Sequence, residues 1–248
     1  MSLRDQTIRC KPAIVKIISV LNFDANGNAT AVSSGSGFVV NSAGYIITNS
    51  HVLIRTEPEN NFVQFSDGTR RQVERIVERD ASHDYAILKI EDEEYCPVEL
   101  GDFSDCQEGD EVFFCGYPLF SAHHVIHKGI ISSKFNDGIN EKIQLDASVN
   151  SGNSGGPLFS INEKVIGIIT EKAGGIDKEM SDISDFVLRA PTIFTTNWTV
   201  NGRTVALDPT KQLAKVVKII HDYTNVGIGY AYSISYVKTA LRRLKLIN

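Results

Sequence analysis

The stretch Asp146-Ala-Ser-Val-Asn-Ser-Gly-Asn-Ser-Gly-Gly-Pro-Leu158 places Ser154 among Gly152, Gly155 and Gly156. Glycine reaches backbone angles closed to other residues and lets a ligand approach the main chain. A serine so placed can expose its hydroxyl while neighbouring N–H groups converge on one point. Acyl transfer needs that pairing of a nucleophile with donors for the oxyanion. The same string also reads as a Gly/Ser turn between two strands. What separates the two is whether the chain supplies a base and an acid that orients it.

His51 follows Thr48-Asn-Ser50 and precedes Val52-Leu53, at the end of a strand. An imidazole can take the serine proton and return it to a leaving amine. Asp84 opens the strand Tyr85-Ala-Ile-Leu88, where a carboxylate can enter a half-buried position, hold the imidazole tautomer and stabilise the imidazolium. Asp80 is a decoy four residues earlier, and His83 reads as facing solvent. The order His, Asp, Ser across two strand-rich halves is one of the arrangements in which such a triad occurs.

The elements that must position these residues are short strands. Ile14–Val20, Ala31–Val40, Tyr45–Thr48, Phe62–Phe65, Arg71–Glu78 and Tyr85–Ile90 alternate with turn signals at Asn26-Gly27, Asn41–Gly44 and Asp67-Gly68, a pattern of all-β sandwiches and barrels. A polar stretch from Glu91 to Asp102 divides the chain, and its acidic run reads as a solvated loop. Strands resume at Glu111–Gly116, Val125–Ser132, Lys142–Leu145 and Val165–Thr170. A segment of different texture follows, with a hairpin turning at Asn201-Gly202 and a helix over Lys211–Tyr223. That helix carries Leu213, Val216, Val217 and Ile220 at helical spacing. Gly227–Ile234 returns to strand, and Ser235–Leu246 reads as a closing helix.

Of the 248 residues 42% are apolar, and no long uncharged run is present, which argues against a helical membrane span. The formal charge of −5 gives no reason to expect nucleic acid or an anionic membrane as partner. Cys10, Cys96, Cys106 and Cys115 lack CxxC spacing and read as buried small apolar residues. The first residues carry no apolar signal core, so a reducing, cytoplasmic location is expected. His123, His124 and His127 could in principle hold zinc. They fall on a strand or the loop before it, and no acidic or thiol partner is spaced with them, so they read as solvent-facing and no metal is expected. Arg242, Arg243 and Lys245 read as the solvated face of the last helix.

Gly35-Ser-Gly-Phe-Val-Val40, Tyr45-Ile-Ile-Thr-Asn-Ser-His-Val52, Asp84-Tyr-Ala-Ile-Leu-Lys89 and Gly152-Asn-Ser-Gly-Gly-Pro-Leu158 resemble the protease domain of the HtrA/Deg family of trypsin-like serine proteases. The likeness extends through Gly116-Tyr-Pro118, Gly129-Ile-Ile-Ser132 and Gly227-Ile-Gly229, from about Pro12 to the C-terminal helix. The resemblance implies two six-stranded antiparallel β-barrels with a C-terminal helix. The first barrel, over 1–100, would bear His51 and Asp84. The second, over 101–248, would bear Ser154 and an extra hairpin-plus-helix insertion at about 171–225. His51, Asp84 and Ser154 would form the catalytic triad, with Gly152 and Ser154 as the oxyanion hole.

The function so implied is an ATP-independent serine endopeptidase acting on unfolded or flexible polypeptide, with no cofactor. The resemblance places the specificity pocket at Ser148 and Val149, at Thr170, Glu171, Lys172 and Ala173, and at Ile228. No aspartate stands at 148 to attract Lys or Arg. Ile228 is expected to make the pocket shallow, favouring Val, Ala or Leu. Two departures stand out. Ser151 occupies a position that is usually proline in the family, and the 171–225 segment is longer than the usual connection. PDZ domains follow the protease domain in most of the family, whereas the sequence here ends at Asn248, and it contains no trypsin-type Ile-Val-Gly-Gly start. A catalytically silent binding module and a viral-type processing protease are the alternatives on the same scaffold, and a homo-oligomer is compatible with the sequence without following from it.

Overall fold

The computed structural model describes residues 2–25, 29–91, 93–118, 121–172, 183, 186–192, 195–200, 203–223 and 227–247. The chain forms two compact units, one of Met1–Lys172 with Gly227–Asn248 and the other of Ala173–Val226.

The first unit opens with a helix the sequence reading did not anticipate, α1 (Leu3–Cys10). Ser2 and Asp5 form a reciprocal capping box at its N-terminus, satisfying donors that a short helix otherwise leaves bare. Seven strands follow: β1 (Ile14–Phe23), β2 (Ala29–Val39), β3 (Tyr45–Thr48), β4 (Asn61–Gln64), β5 (Arg70–Gln72), β6 (Arg75–Asp80) and β7 (Tyr85–Lys89). Their order in the sheet is β5-β4-β1-β2-β3-β7-β6. The sheet is a half-barrel. Its edge strands β5 and β6 are consecutive in the chain, joined through Val73 and Glu74. The expected turn at Asn26-Gly27 lies outside the described residues, but the strands on either side of it pair from Ile14↔Phe38 to Phe23↔Ala29.

The polar stretch after β7 ends in β8 (Glu99–Leu100), which lies parallel to β13. The strands β9 (Glu111–Gly116), β10 (Val125–Asn136), β11 (Glu141–Asp146), β12 (Pro157–Ser160), β13 (Lys164–Lys172) and β16 (Ile228–Ser233) run in the order β12-β9-β10-β11-β16-β13. A β12–β13 pairing closes them into a six-stranded barrel. The fold is therefore of the trypsin-like double-barrel kind, with full closure in its second half.

One apolar cluster fills the second barrel with Val112, Phe114, Ile131, Ile143, Leu145, Leu158, Ile166, Ile169 and Ala231. The larger cluster joins first-barrel residues such as Ile14, Phe38, Ile47 and Leu88 to Phe113, Tyr117 and Phe159 of the second. The last helix, α3 (Ser235–Arg243), inserts Val237, Ala240 and Leu241 into this shared cluster. Its Lys238 donates to the Gly101 carbonyl at 2.9 Å and pairs with Asp102 at 2.5 Å. The helix thus holds the connection between the barrels.

In the second unit β14 (Thr196–Val200) and β15 (Arg203–Leu207) form the expected hairpin, whose turn Asn201-Gly202 lies outside the described residues. The helix α2 (Pro209–Tyr223) starts two residues before the expected Lys211. Asp208 caps it, accepting from the backbone of Thr210 at 3.0 Å, and Pro209 at the first turn has no N–H to satisfy. Leu213 and Val216 of the expected apolar stripe are exposed, whereas Val217 is half-buried and Ala214 is buried.

The three histidines expected to face solvent separate. His123 is exposed, whereas His127 lies on β10 with its ring stacked on Phe114, centroids 4.6 Å apart. Among the described residues no group of metal-ligating side chains gathers. Burial holds His127 below the ordinary histidine value, and burial with the charge of Lys11 does the same for His124.

Two predictions follow from the packing. Leu241→Ala should cost about 2–5 kcal/mol in a denaturant melt, as for other large-to-small changes at fully buried sites. A histidine whose pKa is depressed in the fold binds fewer protons folded than unfolded. Its contribution is complete above the unfolded value of ~6.5 and is lost as pH falls through the lower folded values. The melting temperature should therefore drop on acidification below that value, and by less in His127→Gln. Equal acid losses in the two proteins would contradict a buried neutral ring.

Candidate active site

His51 sits on a short helical turn, Ser50–Val52, just after β3. Arg79 fixes that turn from β6, donating to the Ser50 hydroxyl at 2.9 Å and its carbonyl at 3.0 Å. Asp84 adopts φ 50°, a left-handed conformation uncommon outside glycine. The buried Asn49 side chain holds the Asp84 carbonyl at 2.7 Å. This presents the carboxylate to His51, whose Nδ1 lies 2.8 Å from Oδ2 and 3.0 Å from Oδ1. The His51 backbone N–H donates to Oδ1 at 3.1 Å, and the Thr170 hydroxyl donates to Oδ2 at 2.9 Å. The Asp84 side chain is 16% exposed and that of His51 51% exposed. With an acceptor at Nδ1, the neutral ring carries its proton there and leaves Nε2 as the acceptor.

Asp80 makes a separate pair with His83, Oδ2 to Nδ1 2.8 Å. His83 does not face solvent as expected: it is half-buried, and its ring stacks on Tyr236 of α3 at 4.1 Å. That stacking is a tertiary contact to a residue far along the chain.

Ser154 lies between Gly152 and Gly155, at φ 95° and 87°. Its hydroxyl donates to the Thr170 carbonyl at 2.6 Å. Thr170 of β13 therefore links the two other elements, its hydroxyl on Asp84 and its carbonyl on Ser154. Asn153 N–H donates to the Asn150 carbonyl and Gly155 N–H to that of Ile169. The N–H groups of Gly152 and Ser154 find no acceptor among the described residues, which is the state an oxyanion-binding pair requires.

Ser36 of β2 was not singled out in the sequence, yet it organises this loop. Its N–H donates to the Ser154 carbonyl at 2.8 Å and its hydroxyl to the Gly152 carbonyl at 2.7 Å. That hydroxyl accepts from Tyr117 N–H at 2.9 Å, and Thr48 donates to the Ser36 carbonyl at 2.7 Å. The signal available was Gly35-Ser-Gly37, a serine flanked by residues that permit close approach. A Cβ on Gly35 would lie 2.6 Å from Val52 and 3.0 Å from the Ser154 carbonyl.

Of the expected pocket residues, Ser148 is exposed and Val149 is buried against Gly229, where any Cβ would overlap it. Ile228 is half-buried and paired with Asp146. Because side chains alternate along a strand, Ile228 points to the face opposite the one Gly229 turns to Val149. Glu171 and Lys172 pair with Tyr230 and Gly229 along β16, and Ala173 lies outside the described residues. The cysteines are free thiols, three buried and Cys96 exposed, the last against expectation.

Residues 35–168, more than half of the chain, match the trypsin-like peptidase domain. A probable periplasmic DegP-like serine endoprotease of Rickettsia conorii is 38% identical over 148 residues, 56% of this chain and 28% of that protein. A protein of the same description from Pseudomonas putida is 39% identical over 152 residues, 58% of this chain and 31% of its own length. The chain thus matches about a third or less of these relatives. Their names set these relatives in the periplasm, whereas the expectation from the sequence alone is a cytoplasmic location. Among the described residues no helix is long and apolar enough to cross a membrane. In fold, the chain resembles the HtrA-type protease AlgW with decapeptide, with a TM-score of 0.60 and 23% identity, covering 80% of this chain and 73% of that one. This chain belongs to the trypsin-like peptidase domain family.

Proposed function

We propose that the chain is a serine endopeptidase of the HtrA/DegP type, with Ser154 as nucleophile, His51 as general base and Asp84 as the acid that orients it. The observation that carries this reading is the Asp84 carboxylate held on His51 Nδ1 at 2.8 Å and tied through Thr170 to the Ser154 hydroxyl. In this mechanism the Ser154 hydroxyl turns from the Thr170 carbonyl to His51 Nε2, which takes its proton as Oγ attacks the scissile carbonyl. The oxyanion settles on the N–H groups of Gly152 and Ser154, and His51 then protonates the leaving amine.

The substrate we propose is unfolded or flexible polypeptide, laid as an added strand along Thr170, Glu171 and Lys172. The HtrA-type protease AlgW is described with a decapeptide, a ligand of the same polypeptide class. Val149, packed on Gly229, replaces Ile228 as the residue that limits the pocket depth in this reading. Small or medium aliphatic side chains before the cut are the expected preference. One observation favours the silent binding module: the Ser154 hydroxyl rests on a carbonyl rather than on the base.

A serine-reactive phosphonate decides between the two. Labelling of the wild-type protein that disappears in Ser154→Ala supports the peptidase, and wild-type protein that never labels supports the module. Ser154→Ala and His51→Ala should each abolish cleavage of casein while leaving the melting temperature near that of wild type. Asp84→Asn should lower turnover by about 10⁴, as the tautomer it enforces is lost. Thr170→Val, which removes one donor to the carboxylate, should reduce kcat about tenfold or more, given the strength of hydrogen bonds to charged groups. Val149→Ala should shift the cleavage map, read by mass spectrometry of a digested proteome, towards larger residues such as Phe. An unchanged map would remove Val149 from the pocket.

A further inference from the structure

Asn153 lies between the two residues whose N–H groups are read here as the oxyanion donors, and its side chain is fully buried. The Ser154 N–H belongs to the peptide that Asn153 begins, so the setting of Asn153 decides where that donor points. Its carboxamide has one described side-chain partner. Nδ2 lies 3.4 Å from His127 Nε2, at the long end for a hydrogen bond. The other carboxamide atom, Oδ1, is buried without a partner. It sits 2.8 Å from where a Cβ on Gly116 would stand, so glycine there makes room for it.

His127 is built to hold a fixed position. It is the cross-strand neighbour of Phe114 on β9, and the two rings stack with an interplanar angle of 12°. Lys128, next on the strand, alternates to the other face and pairs with Glu111 of β9 at 2.7 Å. His124 sits against Tyr117 at the end of β9. Phe114 stacks on the ring and Asn153 lies at its Nε2, and burial lowers its pKa from the ordinary histidine value. The imidazole is therefore neutral near neutral pH and offers a hydrogen-bonding nitrogen to the carboxamide.

We infer that His127 is a positioning residue for the serine loop: its imidazole holds the Asn153 carboxamide and thereby sets the Ser154 N–H for the oxyanion. The inference rests on the peptidase reading above. It assigns a role in transition-state stabilisation to a side chain on β10, outside the loop and away from the triad. An interaction realised chiefly in the transition state lowers kcat when lost and leaves KM nearly unchanged.

The test uses full-length protein and a fluorogenic peptide with an aliphatic residue before the cut. His127→Phe keeps the stacking on Phe114 and removes the ring nitrogen. It should lower kcat about tenfold with KM within about twofold and little change in melting temperature. His127→Gln, which returns a hydrogen-bonding amide to this place, should recover most of the loss. In an Asn153→Ala background, His127→Phe should cost nothing further, because both changes remove one interaction. Wild-type kcat in His127→Phe, equal losses in the Phe and Gln variants, or multiplying losses in the double variant would each overturn the assignment. Phosphonate labelling of wild type runs in parallel. Labelled wild type with an undisturbed His127→Phe sinks this inference alone, whereas unlabelled wild type sinks the peptidase reading and this inference with it.

Discussion

The site depends on the approach of the β2 backbone at Ser36 to the serine loop. Four hydrogen bonds between 2.7 and 2.9 Å converge on this residue, two of them reaching the carbonyls of Gly152 and Ser154. Ser36 is fully buried, so each of these groups has given up water and would cost about 1–3 kcal/mol if left unpaired. The approach is possible because the loop has no side chain at the point of contact. A Cβ on Gly155 would overlap the Ser36 carbonyl oxygen, and the φ of 87° there would strain any other residue. The serine loop is thus shaped by the first barrel although it belongs to the second, and neither barrel alone holds Ser154 in place.

The same dependence recurs at Asp84. Its carboxylate accepts from the His51 backbone, the His51 ring and the Thr170 hydroxyl, which come from both barrels. A half-buried carboxylate without such donors would be expensive to keep ionised. The left-handed φ of Asp84 is a local strain that the Asn49 side chain and the β6–β7 ladder hold in place, and strain of this kind persists where surrounding contacts over-determine it. Asp84, His51 and Ser154 therefore share one set of supports rather than three.

How legible this was in the sequence follows from range. His51, Asp84 and Ser154 sit in local strings whose residue types state their chemistry, and the strand pattern followed from alternation and turn residues. Ser36 and the Asn153–His127 contact were not visible. Each joins residues far apart in the chain, and no periodicity encodes which histidine reaches which asparagine. His127 fell within the strand read at Val125–Ser132 but was grouped with two nearby histidines, because a strand assignment alone does not say which of its side chains meets a partner across the barrel. Ile228 illustrates a different limit: a one-residue difference in position along β16 reverses the face a side chain takes. The helix α1 is short, and its buried residues are Gln6 and Cys10, so no apolar stripe marked it.

The resting position of Ser154 reconciles an assembled site with a hydroxyl turned away from its base. A neutral hydrogen bond contributes on the order of 1 kcal/mol net, and a serine χ1 moves between staggered wells. The bond to the Thr170 carbonyl is thus a bias of about that size, small against the barrier lowering that catalysis demands. Thr170 lies in the strand along which the proposed substrate would pair, and a main-chain N–H arriving there would compete for the carbonyl that Ser154 occupies at 2.6 Å. Displacing the hydroxyl frees its proton for the base, while the Thr170 side chain stays on Asp84. In the proposed peptidase, one residue would sense the peptide with its backbone and steady Asp84 with its side chain, so that substrate binding and assembly of the reactive arrangement would be the same event at this position.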